Sequence, residues 1–123
     1  MTVTAYTLAV VLDLFVLFIG YRFLFQPGPA AAGYGVPADP AGDASAYLTV
    51  KGSKDSVFGL MGLALLAFAG ARAEAWFMLV VALVPLADAL IVLRHGGSKA
   101  TAFGIHFATA IVVLISAGLL FAV

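Results

Sequence analysis

The chain has 123 residues, 64% of them hydrophobic and only 10% charged, with six basic residues balanced by six acidic ones; an average soluble domain carries roughly 25% charge. A soluble fold of this size could not hide so much apolar surface, because small domains keep a large share of their surface in water. The lack of cysteine excludes disulfides, thiolate metal sites and thiol catalysis; the neutral balance offers no basic stripe for nucleic acid; and no glycine-rich phosphate loop is present.

The composition predicts an all-α, polytopic membrane protein. A membrane helix needs about 20 apolar residues, so the chain has room for four spans and not for five, packed as one four-helix transmembrane domain over 1–123. The first span is predicted over about 4–25. It reads as a span and not as a cleaved leader, because it has no basic start and carries Asp13. It stops before Pro27, which cannot continue a helix without losing a hydrogen bond.

Residues 26–53 form the one long connection, with Pro27, Pro29, Pro37, Pro40 and several glycines. Such a segment cannot cross lipid, where its backbone groups would go unsatisfied, and it is expected to lie at the interface or fold back over the bundle. Asp43 is the expected cap of a short helix through Tyr47 and Val50. The second span is predicted over about 56–70; its small residues (Gly59, Gly62, Ala64, Ala67, Gly70) suit close helix packing. Ala71 to Glu74 reads as a tight turn. The third span is predicted over about 75–93, with Trp76 as an interfacial anchor and Pro85 as a kink. Gly96-Gly97 stops it, and the fourth span follows over about 102–123.

Basic residues set the expected orientation. Arg22, Lys51, Lys54, Arg94 and Lys99 lie on the side of the first and third loops, and only Arg72 on the other. This predicts a plasma-membrane protein with loops one and three cytoplasmic and both termini outside.

Ionisable residues inside membrane helices are costly and usually face the bundle interior or a cavity. Arg22, Asp55, Asp88 and His106 each fall within about 7 Å of the predicted cytoplasmic end of a different span, at 1.5 Å rise per residue. Asp13 lies about 13 Å deeper than Arg22. Helical periodicity puts His106, Thr109, Val113 and Ser116 on one face, and Asp55, Gly59, Gly62 and Leu66 on another. Asp88 and His106 are the candidate acid/base pair, with Arg22, Asp55 and Asp13 as charge-setting or ligand-binding groups. The plain structural alternative is that Arg22 pairs with Asp55 or Asp88 to neutralise buried charge, with His106 a hydrogen-bonding core residue. No histidine spacing marks a metal site, and no cofactor is implied.

Gly20-Tyr21-Arg22 with Pro27, Gly52-Ser53-Lys54-Asp55 with Gly59, Pro85-Leu86-Ala87-Asp88, and His106, in that order, resemble a family of small bacterial and fungal integral membrane proteins known as a domain of unknown function. The layout is similar to the DoxX-like four-helix membrane proteins. In that family Arg usually precedes the acid that opens span two, where this chain has Lys54. The resemblance implies a four-helix bundle and no activity.

Three functions remain open on the residues. The first is binding, or isomerisation or cyclisation by acid/base chemistry, of a lipophilic small molecule in a polar site near the cytoplasmic side. The second is a non-catalytic accessory subunit, with a partner or a second copy docked on the small-residue face of span two. The third is a small proton-coupled transporter using Asp13.

Overall fold

The computed structural model describes residues 1–36 and 38–123; Pro37, one of the loop prolines, lies outside them. Every regular element among the described residues is helical: α1 (Thr2–Phe25), α2 (Pro27–Tyr34), α3 (Ser45–Phe68), α4 (Ala71–Val81), α5 (Leu83–Arg94) and α6 (Lys99–Phe121). Three stretches are long and apolar enough to cross a membrane: Thr2–Phe25, Ala71–Arg94 and Lys99–Phe121. The 24-residue α3 differs in carrying Lys51, Lys54 and Asp55 in its first half.

Several boundaries differ from the sequence expectation, each for a physical reason. The connection after α1 contains α2, because Pro27 occupies the first helical position, where its missing N–H costs nothing, and an alanine run follows. Gly35 ends α2 in the left-handed conformation, at φ +92°. Helix α3 begins at Ser45 and not at Ser56, and it absorbs the short helix expected around Tyr47 and Val50; Asp43 does not cap it, since Ala44 stands at the N-cap. The turn expected at Ala71–Glu74 is confined to Ala69-Gly70, where Gly70 takes φ +92°. Glu74 is therefore inside a helix. Helices α4 and α5 form one apolar stretch interrupted at Ala82. Pro85 has no N–H to give the Val81 carbonyl, which accounts for a break one turn before it. The start of α6 is fixed by Ser98, whose hydroxyl accepts from the Thr101 N–H at 3.0 Å.

Helix α1 packs antiparallel against α3, and α4 packs antiparallel against the end of α6. In the first contact, glycines let the two backbones approach closely. A methyl group on Gly59 would lie 2.7 Å from the Asp13 carbonyl oxygen, and one on Gly52 would lie 2.9 Å from the Gly20 carbonyl oxygen. The small-residue face of α3 is thus engaged by α1 inside the chain, so that two backbones approach closely. The second contact is built on Ala5, Ala9, Ala75, Met78, Ala117 and Leu120. Large side chains point outward instead: Val3, Phe25 and Phe68 are 79%, 70% and 91% exposed. A small-residue interior under a large apolar mantle is the arrangement expected where lipid, and not water, surrounds the helices.

Candidate functional site

Asp13, Arg22, Asp55, Asp88 and His106 come from α1, α3, α5 and α6, and all five line a single cavity of about 320 Å³. Its remaining walls are mainly apolar, with Leu12, Val16, Phe58, Phe77, Val81 and Val113 among them. Such a volume lies at the lower end of the range for small-molecule sites.

The polar end is organised by a residue that the sequence reading left in the loop. Tyr34, the last residue of α2, donates its phenol to Asp88 Oδ2. Its backbone carbonyl accepts from His106 Nε2 at 2.7 Å. Its ring lies 4.3 Å from the imidazole and 5.5 Å, edge-on, from Phe23. Lys51 Nζ sits 4.2 Å from the centre of the same ring, a cation–π contact. Burial pushes the Tyr34 phenol above its ordinary value, and the Asp88 charge pushes it the same way. The phenol is thereby kept as a hydrogen-bond donor. A proline pair followed by alanines and a glycine stop was the signal for α2.

Lys51 is the second residue missed. It forms an ion pair with Asp55 at 2.9 Å across one helical turn, the i,i+4 spacing. Arg22 was expected to pair with Asp55 or Asp88. It pairs with neither, because Lys51 holds Asp55 and Tyr34 holds Asp88. Among the described residues the Arg22 side chain makes no ion pair, although it lines the cavity half-buried.

His106 reaches the cavity through a local change in winding. Residues Ala102–Phe107 form a π-helical turn within α6, a distortion found mostly at functional sites. His106 is buried at 3% exposure. With Nε2–H given to the Tyr34 carbonyl, the neutral ring keeps Nδ1 as its free lone pair. Of the predicted row on α6, Thr109 and Val113 also line the cavity; Ser116 is fully buried and does not.

Asp13 lies at the far end, 3% exposed, with the carboxyl of Glu74 as its neighbour. Glu74 is fully buried, and no N–H or O–H donor from elsewhere reaches either of its oxygens or Asp13 Oδ2. Gly62 packs directly beneath the Asp13 carboxyl. Glu74 escaped the sequence reading because it was placed in a turn. Among the described residues no group of three His, Asp or Glu side chains is arranged to hold a metal ion.

Residues 14–120 match the model of a family described as a domain of unknown function (DUF4267), and the chain belongs to that family. No curated protein and no solved structure matches the chain.

Proposed function

We propose that this protein is a four-span membrane protein, DoxX-like in layout, that binds one lipophilic small molecule and moves a proton on it with Asp88 and His106. The observation that carries the reading is the convergence of Asp13, Arg22, Asp55, Asp88 and His106, from four helices and joined by Tyr34 and Lys51, on one largely apolar cavity. In this reading α3 crosses the membrane beside α1, and the polar end of the cavity faces the cytoplasmic side, as the distribution of basic residues suggests. The chemistry is proton shuttling. The free Nδ1 of His106 removes a proton from the ligand and returns it at another carbon, while the Asp88 carboxylate, held by Tyr34, offsets the charge of the imidazolium formed in between. An isomerisation run this way balances without any co-reactant.

The test is native mass spectrometry of the protein purified in mild detergent, followed by extraction and identification of bound lipophiles. One defined compound, retained by wild type and lost from folded Asp88→Asn and His106→Ala variants, is the expected outcome. Empty wild-type protein, or variants that keep the compound, would overturn the reading.

The buried Asp13–Glu74 pair favours a second reading, proton-coupled transport through the same cavity. Proton-driven efflux from reconstituted vesicles that disappears in Asp13→Asn would support it. Absence of any flux in wild type would remove it.

A further inference from the structure

The ligand's own chemistry can be narrowed further, on the premise that the cavity does bind a lipophile. The two cations and two carboxylates at its polar end match in number but not in pairing. Lys51 is engaged by Asp55 and by the faces of Tyr34 and Phe23. The carboxylate of Asp88 has the Tyr34 hydroxyl. Arg22, half-buried and lining the same space, is left without a carboxylate partner among the described residues. A guanidinium offers five N–H donors in a planar fork and accepts nothing, and it is suited to grip a carboxylate or phosphate through two parallel bonds. Arg22 therefore has its donors free for an oxyanion brought by the ligand.

The shape of the cavity fixes the rest of the molecule. Its α1 wall runs from Phe23 to Leu12, about 16 Å along the helix axis at 1.5 Å per residue. Its volume of about 320 Å³ is at the small end for ligand sites. That suits one medium-length hydrocarbon chain better than the two long chains of a bilayer phospholipid.

We propose that the ligand is a single-chain anionic amphiphile whose carboxylate or phosphate head is held by Arg22, with its tail running along α1 toward Asp13. The test uses the full chain in phosphatidylcholine nanodiscs. Binding of dodecanoate, dodecyl phosphate, dodecanol and a diacyl phosphatidic acid is measured by native mass spectrometry. The expected result is that dodecanoate or dodecyl phosphate binds roughly tenfold tighter than dodecanol, the scale of a charge-assisted pair, with phosphatidic acid excluded. In Arg22→Gln that preference falls to about one while dodecanol binding persists, which also shows that the variant is folded. If Arg22→Gln does not fold, the wild-type ratio decides alone. Equal binding of dodecanol and the two anions would overturn the anionic head and leave the lipophilic cavity standing. Arg22-dependent binding of phosphatidic acid would overturn the single chain and point to a membrane lipid. Binding of none of the four would remove both this inference and the reading it rests on.

Discussion

Replacing Gly59 by alanine puts a methyl group where α1 already stands. The added carbon would lie 2.7 Å from the Asp13 carbonyl oxygen, 3.0 Å from the Leu17 nitrogen and 2.5 Å from Leu17 Cγ, where ordinary contact begins at 3.4 Å. Two of these three neighbours are backbone atoms, which cannot rotate away. The helices must separate by about 0.7 Å to admit it. Alanine gains up to about 1 kcal/mol over glycine in a helix interior, and overpacking a tight contact costs about 1–3 kcal/mol. The net expectation is a loss of about 1 kcal/mol. Gly118, also in a helix, is the control, because a methyl group there would meet nothing within 4 Å. Gly118→Ala should be neutral or gain about 0.5–1 kcal/mol from the same propensity. Stability of the three proteins is measured by SDS titration in one mixed micelle. A Gly59→Ala protein as stable as Gly118→Ala would refute the backbone-to-backbone packing of α1 on α3.

Glu74→Gln keeps the shape and gives Asp13 an N–H donor, so it should retain stability; Glu74→Ala leaves Asp13 buried without a partner and should lose about 1–3 kcal/mol in the same titration. Tyr34→Phe removes the donor to Asp88 and should loosen α2, read as faster amide exchange over Pro27–Tyr34 with α1 unchanged. The raised Tyr34 value also carries a sign. A phenol whose folded value lies above its unfolded one, about 10, contributes its stability fully below that pH and loses it as pH rises beyond, when a phenolate would face Asp88. The stability advantage of wild type over Tyr34→Phe should therefore hold at neutral pH and shrink above pH about 10; an advantage that grows with alkalinity would contradict the assigned hydrogen bond.

The faces of the long helices were legible in the sequence because period and residue size decide them. Of the row Asp55, Gly59, Gly62 and Leu66 on α3, the first three are buried and Leu66 is partly so. Of the row His106, Thr109, Val113 and Ser116 on α6, the first three reach the cavity and Ser116 is buried away from it. The expected Arg22 pairing was not legible, since choice of partner depends on what arrives from the connection after α1. Tyr34 and Lys51 take Asp88 and Asp55 first, and both lie where prolines and glycines hide helical periodicity. Glu74 was hidden by a boundary: the turn is set by Gly70, and moving the helix start to Ala71 is enough to carry an apparently interfacial acid into the packed interior.

The wide turn at Ala102–Phe107 ties the length of the chain to its chemistry. A π-helical turn amounts to one residue more than an α-helix needs over the same rise. Everything on α6 before it is therefore rotated by about 100° relative to everything after it. Ser98 and the cap it builds belong to one angular frame, and Thr109 and Val113 belong to another, with His106 at the seam. Deleting Gly104, which has open space around it, should let the helix rewind without steric obstruction and carry the imidazole out of register with the Tyr34 carbonyl. Among related chains, a copy shorter by one residue between the Ser98 cap and the Thr109 position should also have surrendered the histidine. A single-codon indel is in this sense a functional substitution here, and histidine and spare residue should be inherited or lost together.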